Sequence, residues 1–293
     1  MQRIVECVPN FSEGKNLKKI KAIFAAAKQI KSVEVFELEY NRDHNRCLFT
    51  IVGDPPQVLA SVFEAIKTAT KLIDMNKHQG EHPRIGATDV VPFVPVTGVS
   101  MKECVELAEK LGKKVGEELS IPVFLYEEAA TRPENKNLAD IRKGEYEGLK
   151  IKMNKPDFGP SKIHPSAGAV VVGARKYLIA FNINLDTPDV EIAKEIASAI
   201  RERDGGLPGV KALGFKVDGL AQVSINLTDF EKTNFDEAFK EVEKLADKMD
   251  VKIKNSEIYG MIPLEALVKS VKTTFKADTF KAGQILERRL FDD

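Results

Sequence analysis

The sequence has no tryptophan, only three cysteines and only four histidines in 293 residues. Cys7, Cys47 and Cys104 are odd in number, scattered, and without a C-x-x-C pair. Neither a disulfide framework nor a structural zinc is expected from them, and they read as small core residues in a reducing cytoplasm. Net charge is also missing, since 44 basic residues face 44 acidic ones. That balance sets up no long-range field, so neither nucleic acid nor an anionic membrane is an expected partner. No apolar run reaches the roughly 18 residues of a membrane span. The most apolar stretch, Ala167 to Leu185, is broken by Arg175 and Lys176. The start, MQRIVECVPNF, lacks the basic-then-apolar order of a signal peptide, and none is expected.

What is present is a globular composition, 43% hydrophobic and 30% charged, in a chain long enough for one large domain or two modest ones. RIVECVP reads as a strand, and Leu17, Ile20, Phe24, Ala27 and Ile30 repeat at helical spacing. VEVFELE and RCLFTIVG read as a hairpin around the polar turn NRDHN. Asp54-Pro55 opens a helix expected to run to about Lys77, and DVVPFVPV follows as a strand. Ser100 and Glu103 predict a capping box for the next helix, and IPVFLY one more strand. Gly144 to Gly168 reads as a long irregular stretch, of a kind usually functional or disordered. RKYLIAFNINL then starts the same order again, through a helix opened by Thr187-Pro188, two strands turning at Asp218-Gly219, a helix after Asn234, and VKIKNSEIYG.

The order β-α-β-β-α-β thus occurs twice, which predicts an α+β chain of two ferredoxin-like subdomains, 1–178 and 179–293. Each sheet has one face without helices. The expectation is that these faces meet across a tunnel that takes a ligand. Pro263 opens a last helix, and the tail reads as peripheral.

Two histidines lie in HQGEHPR, and His78 to His82 fits the zinc pattern H-x-x-E-H. That pattern needs a continuous helix, whereas Gly80 interrupts and Pro83 pushes His82 toward extended backbone. No metal is expected. His78 reads as a residue suited to the C-terminus of the preceding helix. His82 lies among Glu81, Arg84, Gly86 and Asp89 in a rigid loop of the kind that positions chemistry, and composition alone leaves this open against a packed loop residue.

Five stretches, in order, carry a resemblance: VECVPNFSEG, LIDMNKHQGEHPRIGATDVVPFVPVTGVSMKECVELA, PDFGPSKIHPSAG, ARKYLIAFNINL and LAQVSINLTDFE. Together they closely resemble glutamate formimidoyltransferases over nearly the whole chain, to about Pro263. The resemblance implies transfer of a formimidoyl group between 5-formimidoyltetrahydrofolate and L-glutamate in histidine degradation. It implies tetrahydrofolate as one-carbon carrier, no metal, and folate bound between two ferredoxin-like halves. Formyl transfer to glutamate, or cyclo-ligase chemistry on 5-formyltetrahydrofolate, would suit the same fold. A zinc hydrolase using His78 and His82 is the more distant alternative. A homodimer is a family trait that the pattern does not display. A separate cyclodeaminase, or a different downstream route, is expected, because animal members carry one fused and this chain ends at Asp293.

Amine exchange at an amidine carbon moves one proton off the attacking nitrogen and one onto the leaving nitrogen. A single imidazole with a pKa near 7 serves both transfers. By resemblance that imidazole is His82. The carboxylate facing the developing positive charge is Glu39, where animal members carry aspartate, with Glu257 in a similar role. The folate segment aligns with Gly159, Pro160, Ser161, Lys162, Ile163, His164, Pro165, Ser166, Ala167 and Gly168. There the glycines let a flat pterin approach the backbone, and Lys162 suits the acidic folate tail. Arg46 and Arg84 are placed to fork the carboxylates of glutamate, with Asn10 and Ser12 adding hydrogen bonds.

Overall fold

A computed structural model of the chain describes residues 3–291 and divides it into two compact units, Met1–Arg175 and Lys176–Asp293. The first unit runs β1 (Ile4–Cys7), β2 (Asn10–Phe11), α1 (Leu17–Ala27), β3 (Val33–Asn41), β4 (Arg46–Gly53), α2 (Pro55–Leu72) and β5 (Thr88–Thr97). It continues with α3 (Met101–Leu119), β6 (Val123–Glu127), α4 (Leu138–Ile141), α5 (Glu145–Ile151) and β7 (Val170–Ala174). β1 and β2 are successive pieces of one strand, since both pair antiparallel with β4 and with β5. β3 pairs β4, so the first βαββαβ set lies in the order fourth, first, third, second. β7 then joins β5 in parallel, and β6 joins β7 in parallel.

The second unit comprises β8 (Ile179–Leu185), α6 (Val190–Ile200), β9 (Val210–Val217), β10 (Leu220–Leu227), α7 (Phe235–Lys248) and β11 (Ile253–Tyr259). Its four strands, β11-β8-β10-β9, are all antiparallel and repeat the same relative order. α8 (Leu264–Phe275), opened by Pro263, packs on α7, and α9 (Leu286–Phe291) follows.

Helix starts follow local chemistry. Ser100 and Glu103 form the expected reciprocal box, with the Ser100 amide donating to Glu103 at 2.8 Å. Asp54 precedes α2, yet its side chain makes no capping bond. Pro55 and Pro56 follow it and offer no N–H to cap. In α6 the cap falls on Asp189, two residues past the expected Thr187, because its carboxylate accepts the Glu191 amide.

Alternation sorts the sheet's side chains. Phe11, Phe49, Ile51, Val62, Ile66 and Leu111 are sealed in the first unit's core. Each such burial contributes roughly 1.5–3 kcal/mol. The opposite face carries a second, smaller core of Ile85, Val90, Phe124, Tyr126, Ala169 and Val171, packed by Leu138, Ile141, Leu149 and Met153. These four come from α4, from α5 and from just beyond it. The stretch expected to be irregular from Gly144 therefore begins with a helix, whose apolar positions close the far face of β5, β7 and β6. The strand expected from Arg175 to Leu185 starts only at Ile179, as β8, and the apolar residues before Arg175 form a separate strand, β7. All three cysteines are free and buried.

Gly86 and Gly168 form a bridge that ties the histidine loop to the later glycine-rich stretch. Gly168 takes φ +75°, a left-handed value suited to glycine, and a Cβ on Gly86 would lie 1.9 Å from the Ala169 carbonyl oxygen. Gly86→Ala is expected to cost at least about 1–3 kcal/mol through this overpacking. An unchanged midpoint in guanidinium unfolding would show that the two backbones are not in fact so close.

Candidate functional site

The half of the first sheet's far face that the second core leaves uncovered, over β2, β4 and β3, holds the polar residues. Asn10 and Glu39 both pair with Leu48, and Arg46 lies two residues before Leu48 on the same strand. Period-two alternation puts Asn10, Glu39 and Arg46 on one face, while their neighbours Phe11 and Cys47 point into the core. Asn10 is fixed by its Nδ2, which donates to the Val8 carbonyl at 2.8 Å, and its Oδ1 accepts from Arg46 Nη2.

The loop after α2 brings in the histidines. α2 ends at Leu72, so His78 lies beyond the helix and does not serve its C-terminus as expected. Its Nε2 donates to the Asn45 carbonyl at 2.9 Å, and its Nδ1 accepts from Arg84 Nε at 3.3 Å. Carbonyls only accept and guanidinium only donates, so the tautomer is settled. The same reasoning fixes His82 the other way round. Its Nδ1 donates to the Pro83 carbonyl at 2.8 Å, and its Nε2 accepts from Arg46 Nη1 at 2.8 Å. Both lone pairs that a zinc pattern would use are thus turned to guanidinium groups.

Charge around His82 is positive. Burial, then Arg46, then Arg142 push its pKa down to about 2, against a weaker upward pull from the Pro83 hydrogen bond. The resting imidazole is therefore neutral and only weakly basic. It differs from the near-neutral group that acid–base exchange leads one to expect. Arg46 is itself lowered to about 10, by burial first and by Arg142 second, and its Nε has no hydrogen-bond partner among the described residues. Arg142 is paired with the buried Asp89, whose other oxygen accepts the Ile85 amide at 2.9 Å. The His44 ring stands 6.1 Å from that of His82. The space enclosed among Ser12, His44, Arg46, His78, His82 and Arg84 is only about 10 Å³.

Arg84 is buried, and its fork is already occupied. It bonds both oxygens of Glu147 at 2.7 and 2.8 Å and also reaches Glu145. Beside it a cleft of about 430 Å³ opens between Gln79, Gly80 and the start of α5. Ser12 Oγ donates to the Gly86 carbonyl at 2.7 Å and so serves the loop's shape.

The expected folate segment lies against this loop. Met75 donates to Ser166 at 2.8 Å, Ala87 to Ala167 at 2.8 Å and Ala169 to Ile85 at 3.0 Å, all through backbone. Gly159, Pro160, Ser161, Lys162 and Pro165 are exposed, Ile163, His164 and Ser166 half-buried, and Ala167 and Gly168 buried. His164 Nδ1 accepts the Ser166 and Ala167 amides at 3.3 and 2.9 Å, which holds the turn. Glu257 belongs to the second unit, where it accepts from Gln222 at 3.5 Å and Tyr259 at 3.2 Å on the helix-free face.

Sequence reasoning missed Asn45 and Arg142. Asn45, at φ 48°, gathers the Gly14 amide, the Gln79 carbonyl and His78. Its place at the end of a polar hairpin turn was a usable sign, because asparagine tolerates that backbone. Arg142 offered none, since a basic residue in a charge-rich segment gives no hint of its partner. Among the described residues no cluster of three His, Cys, Asp or Glu is placed to hold a metal ion, and no helix is long and apolar enough to cross a membrane.

Two family models match the chain. The formiminotransferase domain, N-terminal subdomain, covers residues 4–175, and the formiminotransferase domain covers residues 180–283. A glutamate formimidoyltransferase of Streptococcus pyogenes serotype M1 is 43% identical, with 99% of each chain covered. One of Thermoplasma acidophilum is 45% identical, covering 98% of this chain and 97% of its own. A formimidoyltransferase-cyclodeaminase of Mus musculus is 46% identical over 92% of this chain, which corresponds to 52% of that longer protein.

Two outcomes are expected from the site's electrostatics. The unfolded chain protonates His82 below about pH 6.5, whereas the fold holds it neutral. Stability from this source is thus complete above that pH and declines as pH falls toward the folded value. In ¹⁵N-detected titration His82 should stay neutral, protonated at Nδ1, from about pH 8 to about pH 5; an inflection near its ordinary value would refute the cationic surroundings. Asp89→Asn should lower unfolding free energy by roughly 3–5 kcal/mol, because it strands the Arg142 charge. Denaturant curves that superimpose on those of the parent chain would disprove that pairing.

Proposed function

Since the chain belongs to the formiminotransferase family, we propose that it is a glutamate formimidoyltransferase. It moves the HN=CH– group between 5-formimidoyltetrahydrofolate and L-glutamate, giving tetrahydrofolate and N-formimidoyl-L-glutamate in one direction, within histidine degradation. The observation that carries this reading is near-complete alignment, at 43–45% identity, with two relatives of that name. Tetrahydrofolate is a co-substrate here, and no metal takes part in the steps below.

The chemistry follows from the placement of His82. The glutamate amine attacks the formimidoyl carbon, a tetrahedral centre forms, and the bond to N5 breaks. His82 Nε2 takes the proton that the attacking nitrogen loses and returns it to N5 as that nitrogen leaves. Glu39, on the same sheet face as Arg46, offsets the positive charge that builds on the amidine. Glu257 is assigned a similar role by the resemblance alone. Residues Gly159 to Gly168 take the pterin, with Ser161 and Ser166 as hydrogen-bonding groups, His164 as a contact only and Lys162 toward the acidic tail.

Arg46 binds a glutamate carboxylate, and its unpartnered Nε supports that role. Arg84 does the same only by releasing Glu147, and Asn10 supports Arg46. The strand order in each unit supports two ferredoxin-like halves, 1–178 and 179–293. A cytoplasmic enzyme and a homodimer complete the proposal.

Turnover with 5-formimidoyltetrahydrofolate plus glutamate, run beside the 5-formyl donor, is the test. Formimidoyl transfer should dominate, and faster formyl transfer or cyclisation would replace this reading with its neighbour. His82→Ala should lose about 10²–10⁴-fold in kcat, and near-normal turnover by a folded variant would remove His82 from the mechanism.

A further inference from the structure

The base assigned to this reaction is covered in the resting enzyme. Nδ1 of His82 is spent on the Pro83 carbonyl, so only Nε2 can take a proton, and Arg46 Nη1 already donates to it at 2.8 Å. Arg46 Nη2 is held by Asn10, and its Nε is buried with no partner among the described residues. The guanidinium thus spends two of its five donors on a neutral imidazole and a neutral amide, while the buried Nε–H goes unused. A carboxylate satisfies such a fork far better, through paired charge-assisted bonds. Room is the second constraint: about 10 Å³ lies between Arg46, His82 and their neighbours, about the space of a single water. That space takes no amino acid beside Nε2 while Arg46 stays in place.

We propose that Arg46 is a substrate-released latch, in which a carboxylate of glutamate draws the guanidinium off His82 Nε2 and uncovers the base only when the acceptor is bound. The proposal rests on the formimidoyl-transfer reading for the identity of the acceptor. The groups facing His82 are Arg46 from β4, Arg142 after α4, itself paired with Asp89 of β5, and His44 in the β3–β4 turn; Glu39 of β3 bears on Arg46. Bringing a carboxylate into this set offsets the positive charge and restores basicity to the ring. The functional gain is selectivity against water. With Nε2 covered, His82 cannot activate water, and the one-carbon group on folate is not hydrolysed while glutamate is absent.

Glutarate tests the latch in the full-length protein, because it carries both carboxylates but no amine to react. The expected result is that glutarate moves the His82 Nε2 resonance and raises the pH at which the ring titrates. A ring unmoved by glutarate, in protein that turns over glutamate, overturns the latch and leaves the transferase reading intact. If instead the protein transfers nothing and the ring still moves, the transferase reading fails and the latch stands. Arg46→Met adds an independent readout. It should lower kcat/KM for glutamate by at least about 30-fold and raise glutamate-independent hydrolysis of 5-formimidoyltetrahydrofolate by roughly tenfold or more, a share of what a positioned base supplies. A higher glutamate KM with hydrolysis unchanged makes Arg46 a binding residue alone and overturns the proposal. Should the variant not fold, the glutarate titration of the parent chain still decides.

Discussion

One imidazole pinned from both sides organises the site. A proline carbonyl takes the proton on Nδ1 of His82, and a buried guanidinium takes the lone pair on Nε2. Neither partner is interchangeable: a carbonyl cannot donate and a guanidinium cannot accept. The ring therefore has one tautomer and one reactive nitrogen. The cation that marks that nitrogen also makes it a poor base at rest. The basicity of His82 depends on its charged neighbours Arg46 and Arg142, and it changes when a charge enters or leaves that set.

The fold supplies this set by leaving a gap. α1 to α3 cover one face of the first sheet, and α4 and α5 seal only the β5–β7–β6 half of the other. The uncovered half, over β2, β4 and β3, is where the polar side chains stand. The histidine loop borders it and is sewn by backbone bonds to residues 166–169, so two stretches far apart in sequence move as one piece of main chain. Side chains may vary there at little cost to shape, because amides and carbonyls hold the geometry. Small residues are required where the two backbones touch.

Much of this was legible in the residues. Alternation and helical spacing gave the doubled βαββαβ order, because those elements each bury one clean face. The Ser100–Glu103 box is a local interaction and appears where its two residues sit. The failures share a cause. α4 and α5 are short, and their few apolar positions gain meaning only against Phe124 and Tyr126 of β6, which no local pattern reveals. The helix end that His78 suits by sequence lies six residues earlier, at Leu72, and Ile73 and Met75 prolong the apolar pattern beyond it. The suppressed basicity of His82 depends on Arg46 and Arg142, one from a strand and one from a segment that read as loop. Proximity of that sort is a tertiary fact. The candidate residues themselves were reached by resemblance, and their chemistry becomes clear only with their neighbours in place.

The buried thiols bear on how the molecule meets reagents. Burial pushes Cys47 and Cys104 up to about 12 and Cys7 well above its ordinary value. Thiolate, the nucleophilic form, is thereby almost absent from all three. Thiol-directed oxidants and alkylating agents therefore find no ready cysteine on the native surface. A single cysteine engineered at exposed Ser161 would be the lone reactive thiol on the folded protein, so a thiol-directed label would mark that position alone.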